Sequence, residues 1–359
     1  MSLVANSSLT SAVAAAWPSF VLVSGLLLLG LVAEREGVFR LLGVRLERLP
    51  GPPVMLVASS LGAVAAVTAV LNLDTAVVFV TPVVIHAAVH RGLDPRPVAY
   101  GALAMANAAS LLLPGANLTN LIVRADAPSS GGSWMVDVAP AGVAAAAVTL
   151  AILLLLDRRA WSATVDRGRP SQAEARPFAR GSALAVGAAV ALAGAAIVLL
   201  PRPALPVLLL GLLTAGVAVA RSELRPRDAI RALGPGVLIG LFLLVCALGW
   251  LAREWQLPGE AVAGSGPLAT AAIGALAAVL LNNLPAAALL GASHPPHPEA
   301  LLVGLNLGPN LFVTGSLSAY LWWRACSATG VAVTLRGLMA RAPATVAPAI
   351  LAAVLLLPG

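Results

Sequence analysis

The sequence contains no lysine, and all 22 of its basic residues are arginine. Acidic residues number 15, and charged side chains make up only 10% of 359 positions. A soluble globular chain carries about 25% charge, so that class is excluded. Cysteine is scarce as well. Cys246 and Cys326 lie far apart and form no pair motif, which excludes a disulfide framework. There is no phosphate-cradling glycine loop and no His-Glu-x-x-His, so the sequence carries no motif for ATP hydrolysis or zinc proteolysis. No basic n-region precedes the first apolar run, so no cleaved signal peptide is expected. Polar stretches are short, the longest running from Asp157 to Arg180, and none is expected to form an extramembrane domain.

What is present is apolar. Hydrophobic residues make up 59% of the chain, and mean hydropathy is +0.93. Several apolar runs approach the roughly 20 residues a spanning helix needs. They are too long for barrel strands, which alternate over about 10 residues. The arginines sit in short loops between these runs, which points to a membrane surface and away from nucleic acid; the missing lysine reads as a coding bias. The expectation is an all-α polytopic membrane protein of a bacterial inner (cytoplasmic) membrane, with the lipid bilayer as its solvent.

Some apolar runs are too short to cross a bilayer alone, such as 76–90 and 286–293. Unpaired backbone cannot face lipid, so these predict arms of re-entrant hairpins or halves of broken helices. On that reading 54–90 and 267–293 are hairpins, and 97–124 and 299–325 are interrupted spans. With the N-terminus outside, 19 of the 22 arginines fall in inside loops, leaving Arg124, Arg202 and Arg253. The threading shows a repeat. Residues 1–156 read as span, inside hairpin, broken helix, span, and 234–359 repeat that order with opposite orientation. Residues 157–233 form a basic inner loop and two linking spans. Inverted repeats with discontinuous helices at matching positions point to a secondary transporter, not an enzyme, with its site at the midplane.

Eight of the nine asparagines fall in four short segments at those turns and breaks. The candidate substrate-binding residues are Asn72 and Thr75; Asn107, Ser110, Asn117, Thr119 and Asn120; Asn282 and Asn283; and Asn306, Asn310, Thr314 and Ser316. Proline and glycine interrupt the helices there, and amides and hydroxyls can satisfy the freed backbone while facing a hydroxylated solute. The plainer alternative is that the amides only join helices. Asp74 is the one acidic residue deep in a membrane segment, so it is assigned proton coupling; the alternative is a capping role in the hairpin. His86 and His90 share a helix face and read as an interfacial helix end, and His294 and His297 lie in a turn. No metal site and no cofactor are expected.

These segments resemble the arsenite permease branch of the ion-transporter superfamily, which also holds sodium/proton antiporters and citrate or dicarboxylate permeases. The resemblance rests on four motifs in order: Asp74 with Val80-Thr81-Pro82; Ala109-Ser110 with Asn117-Leu118-Thr119-Asn120; Asn282-Asn283-Leu284-Pro285; and Leu307-Gly308-Pro309 with Gly315-Ser316-Leu317. It implies export of arsenite or antimonite in exchange for protons, by alternating access. There are departures. Asn107 and Asn306 stand where arsenite permeases carry acidic residues, and Asn310 stands where they carry lysine. The Ser-Asn-Thr hairpin tips of dicarboxylate carriers are missing, and no arginine lies near the predicted midplane to meet a carboxylate. Both absences favour a neutral hydroxide, As(OH)3 or Sb(OH)3. An anion permease or a sodium/proton antiporter is the alternative, and a non-transporting membrane protein the third. Many members of the superfamily are homodimers, and any ATPase would be a separate subunit on the basic inner loops.

Overall fold

The computed structural model describes residues 2–125, 131–162, 180–255 and 257–358, and these are helical with no strand among them. Part of the basic inner loop assigned from the sequence lies outside the described residues. Proline does much of the punctuation. Pro53, Pro95, Pro226, Pro235, Pro267 and Pro298 each open a helix, where the missing N–H has no intrahelical acceptor to lose.

The principal helices are α1 (Ser2–Arg35), α2 (Val38–Glu47), α3 (Pro53–Val70), α4 (Leu73–His90), α5 (Pro95–Ala109), α6 (Leu118–Val123), α7 (Ala139–Leu156), α8 (Arg180–Leu199), α9 (Ala204–Ala220), α10 (Pro235–Glu254), α11 (Pro267–Leu281), α12 (Asn283–Gly291), α13 (Pro298–Leu307), α14 (Leu317–Ala328) and α15 (Ala342–Val354). By length and composition, seven helical stretches among the described residues can cross a membrane. The sequence expectation of an all-helical, multi-span chain is borne out. One boundary differs. The second arm of the first hairpin starts at Leu73, before the apolar run at 76, because the Asn72 side chain caps it. That gives α4 a span of 18 residues, with a π-helical turn at Ala76–Val80.

Packing interleaves the two ends of the chain. α3 lies on α5, and α11 lies on α13. The second arms cross over: α4 packs on α14, and α12 packs on α6. α7 and α15 run against each other, and α1 is clamped to α9. The α1–α9 crossing is backbone to backbone, since a Cβ on Gly211 would meet the Gly25 carbonyl oxygen at 2.6 Å. Two large buried clusters result. One centres on the first hairpin and takes in Ala319, Trp322 and Cys326; the other centres on the second hairpin and takes in Ala108, Ile122 and Val123.

Candidate functional site

Both broken helices are built alike. α5 ends at Ala109, a 3-10 turn at Pro114–Ala116 follows, and Asn117 caps α6 from extended backbone at φ −148°, ψ 136°. α13 ends at Leu307, a 3-10 turn at Val313–Gly315 follows, and Ser316 caps α14 at φ −155°, ψ 148°. The hairpin tips match too: Asn72 caps α4 and Asn282 caps α12. Each cap accepts from a backbone N–H that the new helix would otherwise leave unpaired.

The two breaks meet through their asparagines. Asn306 Oδ1 accepts from Ser110 Oγ at 2.5 Å and from Asn117 Nδ2 at 2.8 Å. Its Nδ2 donates to Asn120 Oδ1 and to the Leu302 carbonyl, both at 2.8 Å. Asn120 Nδ2 donates to the Ser110 carbonyl at 2.7 Å, and Asn107 Nδ2 donates to Asn310 Oδ1 at 2.7 Å. Asn310 Nδ2 reaches back to the Ala104 carbonyl at 3.2 Å. All six side chains are buried and all are neutral. These bonds join the two breaks. Asn306 is saturated by protein, whereas Asn107 Oδ1 and Thr119 Oγ1 are buried with no hydrogen-bond partner. Such buried groups are uncommon in a native core and are open to a water or a ligand atom.

Of the other sequence candidates, Thr119 bonds to the network, its backbone N–H donating to Asn117 Oδ1 at 3.1 Å. Asn282 Nδ2 donates to the Thr314 carbonyl at 3.1 Å, tying the second hairpin tip to the second break, and Thr314 Oγ1 donates to the Val279 carbonyl at 2.7 Å. Asn282 holds φ 79°, ψ 147°, a backbone region that is nearly glycine's alone. Ser316 Oγ lies 2.8 Å from Ser318 Oγ. Asn283 is buried at the start of α12. In the first tip, Asn72 Oδ1 accepts from Thr75 N at 2.7 Å, while Asn72 Nδ2 is buried and unpartnered. Thr75 sits against Gly30 of α1, where a Cβ would come within 2.6 Å of its methyl. Asp74 is half-buried in the first turn of α4. The cap belongs to Asn72, so Asp74 has no capping duty.

Sequence reading missed what secures the network at its two ends. Arg124, closing α6, pairs with Glu299 in the first turn of α13. At the opposite end Trp322 Nε1 donates to the Ala99 carbonyl at 2.7 Å, and Tyr100 Oη accepts from Thr334 N at 2.8 Å. Arg341 lies over the Tyr100 ring at 4.7 Å and grips Asp157 at 2.6 and 3.1 Å. The one available signal was Arg124, an exception to the inside-loop count. A cavity of about 430 Å³ opens beside the first break, lined by Asn120 and Arg124 and by Arg202 between α8 and α9.

Interrupted helices facing each other across a buried polar network, in a bundle with seven apolar spans, define a multi-pass secondary transporter rather than an enzyme. A family model described as CitMHS, citrate transporter, matches residues 2–357, and the chain belongs to that family. The sequence resemblance is thereby borne out at the level of ion-transporter permeases, above the arsenite branch. No curated protein matches the chain in sequence. Among solved structures, the YdaH transporter of Alcanivorax borkumensis, described as having an unusual topology, is similar over 97% of this chain and 86% of its own. Its TM-score is 0.63 and its identity 16%, so the likeness is one of fold.

Proposed function

We propose that this transporter exports a small neutral hydroxide, As(OH)3 or Sb(OH)3, in exchange for protons. The observation that carries the reading is the network itself: six buried side chains across two helix breaks, none of them charged. Amides offer donors and acceptors together, which suits hydroxyls on a neutral solute. A trianion would need formal positive charge there to offset its desolvation.

The two inverted halves, 1–156 and 234–359, supply one hairpin and one break each, and 157–233 links them. On this reading the hairpins are re-entrant, although both arms of the first reach 18 residues, and the N-terminus lies outside. Asn306 is saturated by protein, so an entering solute replaces some of its bonds and favours a state in which the breaks separate. Asp74 binds a proton from outside and releases it inside. Restoration of arsenite resistance in bacteria lacking their own exporter supports this; no restoration, with the protein present in the membrane, contradicts it.

A second reading, a citrate- or dicarboxylate-like anion permease, is favoured by the family's own description and by Arg124 and Arg202 beside Asn120. Sodium/proton exchange stays within the same superfamily. Uptake of arsenite, citrate and sodium measured side by side separates the three.

A further inference from the structure

We propose that the cavity beside the first break is a binding site for the phosphate of an anionic phospholipid, with an acyl chain along its apolar wall. Its walls are mostly apolar, with Trp17, Trp134 and Ile197 among them, and Asn120, Arg124 and Arg202 supply the polar part. Trp134 spends its N–H on the Leu111 carbonyl at 3.0 Å, so it presents the cavity only with ring. Arg124 has 12% of its side chain exposed, and one of its nitrogens pairs with Glu299. Its Nε is buried without a partner. Arg202 is exposed and makes no ion pair among the described residues.

Glu299 balances Arg124, so among the described residues the uncompensated charge beside the apolar wall is that of Arg202, which is exposed and open to a counter-ion. The buried Nε of Arg124 is a further donor with an acceptor still to find. Arginine's fork of donors matches the oxygens of phosphate and carboxylate. The placement of these residues strengthens the case. Only three arginines escape the inside-loop count, and two of them line this one cavity, while the third, Arg253, lines a smaller cavity next to it. An acyl chain would lie along the tryptophans and Ile197, which a soluble inorganic anion would leave uncovered. The occupant is therefore an anionic phospholipid.

The test uses the full chain in nonionic detergent, titrated with phosphatidylglycerol, inorganic phosphate and uncharged diacylglycerol. Arg202→Gln is expected to weaken binding about threefold, as a mostly exposed charge does. The paired variant Arg124→Gln/Glu299→Gln, which removes a guanidinium without stranding a carboxylate, is expected to weaken it about tenfold. Binding of phosphatidylglycerol ahead of inorganic phosphate and diacylglycerol supports the proposal, and inorganic phosphate binding as tightly as phosphatidylglycerol overturns it. The proposal is overturned if no anionic probe binds, if diacylglycerol binds as tightly as phosphatidylglycerol, or if neither variant weakens binding. No transport enters the readout, so the outcome is separate from the identity of the exported solute.

Discussion

Replacing Asn306 by leucine probes the network at its most connected point. Leucine keeps the same number and branching of side-chain heavy atoms, with bulkier methyl ends, but removes four hydrogen bonds, to Ser110, Asn117, Asn120 and the Leu302 carbonyl. The Leu302 carbonyl belongs to a helix, and Ser110 Oγ can still donate to the Asn107 carbonyl at 2.7 Å, so two groups are left stranded, Asn117 Nδ2 and Asn120 Oδ1. In a water-soluble core each orphan costs about 1–3 kcal/mol, which for two sums to about 2–6 kcal/mol. Between membrane helices a side-chain hydrogen bond averages about 0.6 kcal/mol, because the unfolded chain finds partners in lipid too, and four give about 2.4 kcal/mol. The site is fully buried, so we expect a loss of about 3 kcal/mol, between these limits. An SDS unfolding titration of the purified protein reads this directly. A variant within about 0.5 kcal/mol of the wild type would show that the network is not held as described, since four lost bonds cannot sum to so little.

Asp74→Asn is expected to leave the protein folded, since Asp74 caps nothing, and to abolish the response of flux in inverted vesicles to an imposed pH gradient; unchanged, pH-driven flux refutes the coupling role. At the second hairpin tip, Asn282→Gly relieves backbone strain of about 1–3 kcal/mol while losing the Thr314 contact. Its stability should therefore exceed that of Asn282→Ala in the same SDS titration. Arg341→Gln strands Asp157, whose side chain is only 11% exposed. We expect a loss of about 2–3 kcal/mol, discounted from the fully buried case for the residual solvent. Gly211→Leu forces α1 and α9 apart where their backbones touch, and is expected to prevent accumulation of folded protein in the membrane.

The chemistry of the breaks was legible because it is local. Pro114, Gly115, Pro309 and Gly315 interrupt apolar runs, and an interruption in lipid needs polar side chains nearby. Asparagine at 72, 117 and 282 could be placed beside helix starts on that ground alone. What the amides bond to was not legible. Asn306 meets residues 186 to 196 positions earlier in sequence, and nothing in the spacing of either segment encodes that register. The start of α4 moved because a cap overrides hydropathy: Asn72 brings Leu73, Asp74 and Thr75 into the helix ahead of the apolar run. The Arg124–Glu299 and Arg341–Asp157 pairs were hidden for a related reason, as each joins loop-end charges that look solvated when read singly.

The exchange of hairpin arms suggests how the site and the rest of the molecule communicate. α4 packs on α14 and α12 on α6, so displacing either tip disturbs the break that belongs to the other end of the chain. On the proposed function, a solute between the breaks and a proton at Asp74 would act on one mechanical unit, as coupling requires.

Proteoliposome flux under an imposed pH gradient tests the central claim most directly, comparing wild type with Asn117→Ala, which removes a single amide from the network. The account predicts arsenite movement driven by the gradient in the wild type, a loss of at least tenfold in the variant, and no citrate movement in either. Citrate flux without arsenite flux, or arsenite flux that the variant leaves intact, would contradict it.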